Sequence, residues 1–203
     1  MPSHAGFIHA SLLRTIETLS RVSEDVSTLD RAATLLIEAV AAGGKVMFCG
    51  NGGSAADAQH LATELVSKFR HDRPGIPALA LTTDTSALTA IANDYAYDRV
   101  FARQVEALGR PGDVLVGIST SGNSRNVVEA VRAAAARGIT TIGLLGNEGG
   151  ALRPLVDLAI VMPSTETPHI QEAHIAIGHI LCDLLEQQVV TGAAVAPPIV
   201  IRG

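Results

Sequence analysis

Short apolar runs alternate with segments whose apolar residues recur every three or four positions, from residue 45 to residue 190. The runs KVMFCG (45–50), PALALT (77–82), DVLVGIST (113–120), TTIGLLG (140–146) and LAIVMP (158–163) predict five strands. They lack in–out alternation, as strands buried on both faces of a sheet do. Between them, residues 54–69, 85–93, 98–107 and 124–137 read as helices, and residues 170–190 as a long last one. Strands joined by helices make βαβ units with right-handed crossovers, hence a parallel sheet. Ahead of the first strand, residues 7–42 read as helix broken once near Ser27 to Asp30, with Leu12, Ile16 and Leu19 before the break and Ala33, Leu36, Ile37 and Val40 after it. Gly43-Gly44 stops it. Such a striped segment outside the sheet packs either on a partner copy or on its own domain, and the stripe alone does not choose. The tail TGAAVAPPIVIRG (191–203) reads as irregular. The expectation is an α/β chain with a helical segment over 1–42 for packing or oligomerisation, one sheet domain over 43–190 and the tail.

Composition narrows the function classes. Of 203 residues, 47% are hydrophobic and 17% charged, which is ample for a core and unlike a disordered chain. The formal charge is -5, aromatics are 3% and no Lys/Arg-rich run occurs, so a nucleic-acid platform of basic groove and stacking rings is not expected. Cys49 lies in a strand-like run and Cys182 in a helix-like one, without CxxC spacing, and both read as buried, reduced thiols of a cytosolic protein. The start MPSHAGFIHASLLRTIE lacks the basic-then-apolar pattern of a secretory signal, and no stretch has the apolar length of a membrane span.

Two strand ends carry loops suited to phosphate. One is Cys49-Gly50-Asn51-Gly52-Gly53-Ser54 and the other Ser119-Thr120-Ser121-Gly122-Asn123-Ser124. Glycines let the backbone turn sharply and approach a ligand. Ser54 and Ser124 fall where helix caps fall, beside the free N–H groups and favourable dipole of a helix start. Capping alone accounts for one serine per loop, whereas the second loop has hydroxyls at Ser119, Thr120, Ser121 and Ser124. Neither loop fits GxxxxGK[ST], nor GxGxxG with a suitably placed acidic partner, so neither a nucleotide P-loop nor a dinucleotide site is supported.

On the helix after the first loop, His60 and Glu64 are four apart and share a face, where they make a surface ion pair or hold one metal ion. The last helix carries Gln171, Glu172, His174 and His179 beside an apolar face that includes Ile170, Ile177, Ile180 and Leu181. Gln171 and His179 are separated by about 12 Å of helix rise, so one ion reaches both only if the side chains lean together. By itself His179 reads as a hydrogen-bonded core histidine and His174 as surface or interface. Lys68 and Arg70 read as a solvated helix end, Asn93-Asp94 as a capped turn, and His71, Asp72 and Arg73 as a polar loop.

With those residues placed, the chain resembles the sugar isomerase (SIS) domain family over roughly residues 40–190, and within it the phosphoheptose isomerases, whose long N-terminal helical segment it shares. The resemblance rests on CGNGGSAADAQHLATEL (49–65), AIANDYAYDRVFARQVEALGRPGDVLVGISTSGNS (90–124) and IQEAHIAIGH (170–179). It implies a single SIS-type domain with a five-stranded parallel sheet flanked by helices, and a cytoplasmic homotetramer with sites at subunit interfaces. It also implies conversion of sedoheptulose 7-phosphate to D-glycero-D-manno-heptose 7-phosphate, the opening of the bacterial heptose pathway to lipopolysaccharide core or capsule. Carried over by motif, Glu64 and His179 are the acid–base pair. Asn51, Gly52, Gly53, Ser54, Glu64, Asn93, Asp94 and Gln171 line the substrate site, Ser119, Thr120, Ser121 and Ser124 hold phosphate, and His60, Glu64, Gln171 and His179 match the zinc positions. Two departures stand out: Pro168 occupies a position that is acidic in some members, and Lys68 replaces an arginine. A replication-initiator-associating adaptor of the same fold is similar over LTTDTSALTAIAND (81–94), but it lacks the counterparts of Glu64 and His179 that this chain has. Sugar-phosphate-sensing regulators usually add a DNA-binding segment, for which residues 1–42 lack the charge.

Overall fold

The computed structural model describes residues 4–192. Five strands form one parallel sheet in the order β2-β1-β3-β4-β5: β1 (Val46–Cys49), β2 (Ala78–Ala80), β3 (Val114–Ser119), β4 (Thr140–Leu145) and β5 (Leu158–Val161). Among the described residues seven α-helices surround it: α1 (His4–Ser23), α2 (Ser27–Ala41), α3 (Gly53–Val66), α4 (Thr85–Asp94), α5 (Ala102–Leu108), α6 (Arg125–Ala135) and α7 (Thr167–Thr191). The break between the first two helices is at residues 24–26, slightly earlier than expected, where Asp25 Oδ1 accepts the Ser27 N–H and starts α2. The expected irregular tail from residue 193 onward lies outside the described residues.

Residues alternate across the sheet. Val46 and Phe48 join a core with Leu36, Leu61, Leu65, Ile177 and Leu181 of α2, α3 and α7. Met47 and Cys49 join the opposite core with Val105 of α5 and Val127 and Val131 of α6. Every residue of β1 and β3 is buried, which is why these strands read as unbroken apolar runs. Both cysteines are buried and free, and burial pushes each thiol up to about 12.

The chain leaves β1 toward β2 on one side and later returns to β3 on the other. Strand order reverses there, so the ends of β1 and β3 diverge into a crevice, where ligands of open parallel sheets bind. Both glycine- and serine-rich loops fall at this point.

Candidate active site

The loop after β1 enters α3 through Gly52, whose φ of 56° is left-handed and favours glycine. A side chain on Gly53 would strike the Gln171 amide, so the absence of Cβ lets α7 close over the start of α3. Ser54 is not the cap expected of it: Gly52 is, and Ser54 sits buried inside the first turn. The Asn51 amide forms a reciprocal pair with the buried Asn126 of α6, at 2.8 and 2.7 Å, and its oxygen also accepts from the Tyr97 hydroxyl. Asn51 thereby ties the two loop–helix units together.

The loop after β3 presents its hydroxyls. Ser124 is the N-cap of α6 but makes no side-chain capping bond; its Oγ lies 3.0 Å from Ser119 Oγ instead. A serine at a helix start that leaves the backbone donors uncapped suits an anion better than it suits the helix alone. The Ser121 hydroxyl accepts the Asn123 N–H, and Thr120 is half-buried beside it. The segment after β4 braces this loop. Asn147, itself left-handed, donates to the Thr120 carbonyl, and the Asn123 side chain accepts the Ala151 N–H.

The predicted acid and base meet. His60 Nε2 is 3.2 Å from Glu64 Oε1 and 2.8 Å from His179 Nε2, within one protomer. This contact between α3 and α7 depends on Gly178, next to His179, whose missing side chain admits the buried Leu61, next to His60. One ligand atom from each of His60, Glu64 and His179 lies within 4.8 Å of the others, and two imidazoles with a carboxylate are a donor set that zinc accepts. Gln171, the fourth predicted ligand, directs its amide to Gly53, two helical turns before His60. Asn93 and Asp94 end α4, exposed and bonded to each other. Lys68 is exposed.

Sequence reasoning passed over several groups. Asp57, one turn before His60, is half-buried with one oxygen unpartnered; burial raises its pKa against the opposing pull of His60. Its i,i+3 spacing to His60 was the available signal. Asn126, Asn147 and Tyr97 carried none, because only the fold brings them to the loops. His174, expected at the surface or an interface, is fully buried within its own domain: Nε2 donates to the Leu145 carbonyl, and Nδ1 has no partner. Desolvation pushes its pKa down to about 4. The unfolded chain takes up that proton near 6.5 and the folded chain only near 4, so His174 contributes stability above about pH 6.5 that is lost as pH falls toward 4. That loss is on the order of 3 kcal/mol. Thermal melts of His174→Gln between pH 7.5 and 4.5 should therefore show a flatter dependence on pH than wild type; parallel curves would refute the assignment.

Residues 13–146 match the family model described as SIS domain. The chain is 59% identical over 164 residues to the phosphoheptose isomerase of Solidesulfovibrio magneticus, covering 81% of this chain and 80% of that protein. It is 50% identical over 186 residues to that of Clostridium acetobutylicum, covering 90% and 95%. The chain belongs to the phosphoheptose isomerases. A solved phosphoheptose isomerase from Neisseria gonorrhoeae superposes with a TM-score of 0.86 at 44% identity, over 91% of this chain and all of that one. A second, from Francisella tularensis, gives 0.88 at 36% identity over 91% and 99%. The expected family, fold and enzyme class are thus borne out, and the relatives give the adaptor alternative no support. The chain has one SIS domain with helices ahead of the sheet. Among the described residues no helix is long and apolar enough to cross a membrane.

Proposed function

We propose that this chain converts sedoheptulose 7-phosphate to D-glycero-D-manno-heptose 7-phosphate, supplying heptose for lipopolysaccharide core or capsule from the cytoplasm. The observation that carries the reading is the meeting of Glu64 and His179, from separate helices, in the half of the molecule where two loops offer hydroxyls and backbone donors. Ser119, Thr120, Ser121 and Ser124 grip the phosphate, and its binding energy holds C1 and C2 in place for reaction. Asn51, Gly52, Gly53, Ser54 and Gln171 flank the sugar, with Asn93 and Asp94 approaching from the end of α4.

Glu64 removes a proton from C1 of the open-chain ketose to give the enediol, and the proton is returned at C2. His179 carries the hydroxyl proton from O1 to O2, so that C1 becomes the aldehyde. No atom is gained or lost, and no external oxidant or reductant is needed. His60, Glu64 and His179 would hold zinc, which supplies Lewis-acid polarisation of the sugar oxygens when bound, whereas Gln171, the family's fourth position, lies at Gly53.

α1 supports a homotetramer: Phe7, Ile8, Leu12, Leu13 and Ile16 are all at least 49% exposed, more apolar surface than a helix facing water needs. In this reading residues 1–42 serve assembly and residues 43–190 the chemistry.

Incubating the protein with sedoheptulose 7-phosphate, with and without a chelator, tests the proposal. The aldose product should form, and chelation should slow it in a way that added zinc reverses. Recovery of unchanged ketose from the folded, zinc-supplied protein would overturn the reading.

A further inference from the structure

Arg73 reads as part of a polar loop, yet its side chain is 2% exposed, and its partner Glu186, on α7, is fully buried. A buried ion pair is an expensive way to hold a loop, since apolar residues of similar size do so at lower cost. What the pair supplies is direction. The Glu186 carboxylate accepts the backbone N–H groups of Phe69, Arg70 and His71 at 2.9, 2.7 and 3.0 Å, and Arg73 Nε at 3.1 Å. The other arms of Arg73 donate to the carbonyls of Glu64 and Leu65 in the last turn of α3, and to those of Ser67 and Pro74. One ion pair therefore grips the backbone of Glu64, the loop that follows it, and the helix that carries His179.

The loop held this way delivers one ring to the site. Phe69 lies against His179, with centroids 5.5 Å apart and planes tilted by 30°, and the Arg70 guanidinium lies 5.4 Å from the Phe69 ring on its own account. The His179 imidazole is thus bounded by Phe69 and by His60, whose ring meets it edge-on at 5.0 Å.

We propose that Glu186 and Arg73 are positioning residues of the isomerase: they lock residues 67–74 between α3 and α7 so that Phe69 fixes the orientation of the His179 ring relative to Glu64. The inference rests on the assignment of Glu64 and His179 as the acid–base pair. None of the three new residues touches the phosphate loop, so they act on the rate of proton transfer and leave the grip on the substrate's far end alone.

The test is steady-state isomerisation of sedoheptulose 7-phosphate across pH by Glu186→Gln and Phe69→Leu, with assembly and far-UV dichroism checked for each. Glu186→Gln keeps the shape but turns an amide toward N–H donors, and kcat should fall about ten- to a hundredfold with KM within about twofold of wild type, as small misplacements of reacting groups do. Phe69→Leu leaves the ion pair intact and should lower kcat about three- to tenfold, again with KM held and with a displaced limb in the kcat–pH profile. Phe69→Tyr, which keeps the ring, should recover most of that rate. If Glu186→Gln does not fold, the two Phe69 variants decide. Folded Phe69→Leu with wild-type kcat and pH profile overturns the inference, as does a loss that appears in KM alone. Glu64→Gln and His179→Gln run beside them: if those are inactive while the Glu186 and Phe69 variants match wild type, only this inference fails. If Glu64→Gln or His179→Gln turns over normally, the acid–base assignment itself has failed.

Discussion

Glu64→Gln is expected to fold as wild type does and to isomerise its sugar phosphate about a hundred- to ten-thousandfold more slowly, and His179→Gln likewise. Glutamine keeps the length of Glu64 and can still bond His60, 3.2 Å away, but it has no basic oxygen to take a proton from carbon. At His179 glutamine retains a polar end near His60 while losing an imidazole that can both accept and donate a proton. Neither side chain belongs to the apolar cores, so circular dichroism and melting temperature should change little. The decisive measurement is kcat on folded protein. A near-wild-type value in either variant removes that residue from the chemistry.

Gly122→Ala should damage both stability and substrate binding. Its φ of +66° costs a side-chain-bearing residue about 1–2 kcal/mol. A Cβ there would also collide with the carbonyl of Gly149 and the nitrogen of Gly150. These are backbone atoms in the segment that braces the loop after β3, so relief comes only by moving one strand-end loop off the other. With clash and strain together at about 2–3 kcal/mol, the melting temperature should drop by about 5–10 °C. KM for the phosphosugar should rise about tenfold or more, since hydrogen bonds to charged groups contribute roughly 1.5–3 kcal/mol each. Ser124→Ala is the milder comparison: it removes one hydroxyl without moving backbone, so KM should rise while the melting temperature holds. Unchanged KM in both variants would take the phosphate away from this loop.

Much of this was legible in the chain. The five strands, the long last helix and both strand-end loops follow from hydrophobic period and from glycine and serine placed after buried runs, because these are local properties. The His60–Glu64 pair was legible for the same reason, as a matter of helical spacing. Its functional reading came only from the family resemblance, since by spacing alone an i,i+4 pair is ordinary until a second helix brings His179 to it. His174 was misjudged because histidine is a polar type that its apolar neighbours Ala173 and Ile175 do not place, yet its side chain turns inward to the end of β4. Ser54 was misjudged because glycine at position 52 took over the start of α3. Arg73 read only as part of a polar loop and Glu186 drew no reading, since nothing local shows that each is the other's partner across 113 positions.

Taken alone, the order of residues determined the class of fold, the places where backbone donors and hydroxyls gather, and the chemical types available for proton transfer. Only tertiary structure decided which of those groups meet, that His179 lies beside His60 and Glu64 while His174 is buried and neutral, and which charges are hidden. The physical reason is range. Period, caps and turns act over a few residues, whereas a site between α3 and α7 depends on how closely two helices approach, and here that approach rests on a missing side chain at Gly178 facing Leu61.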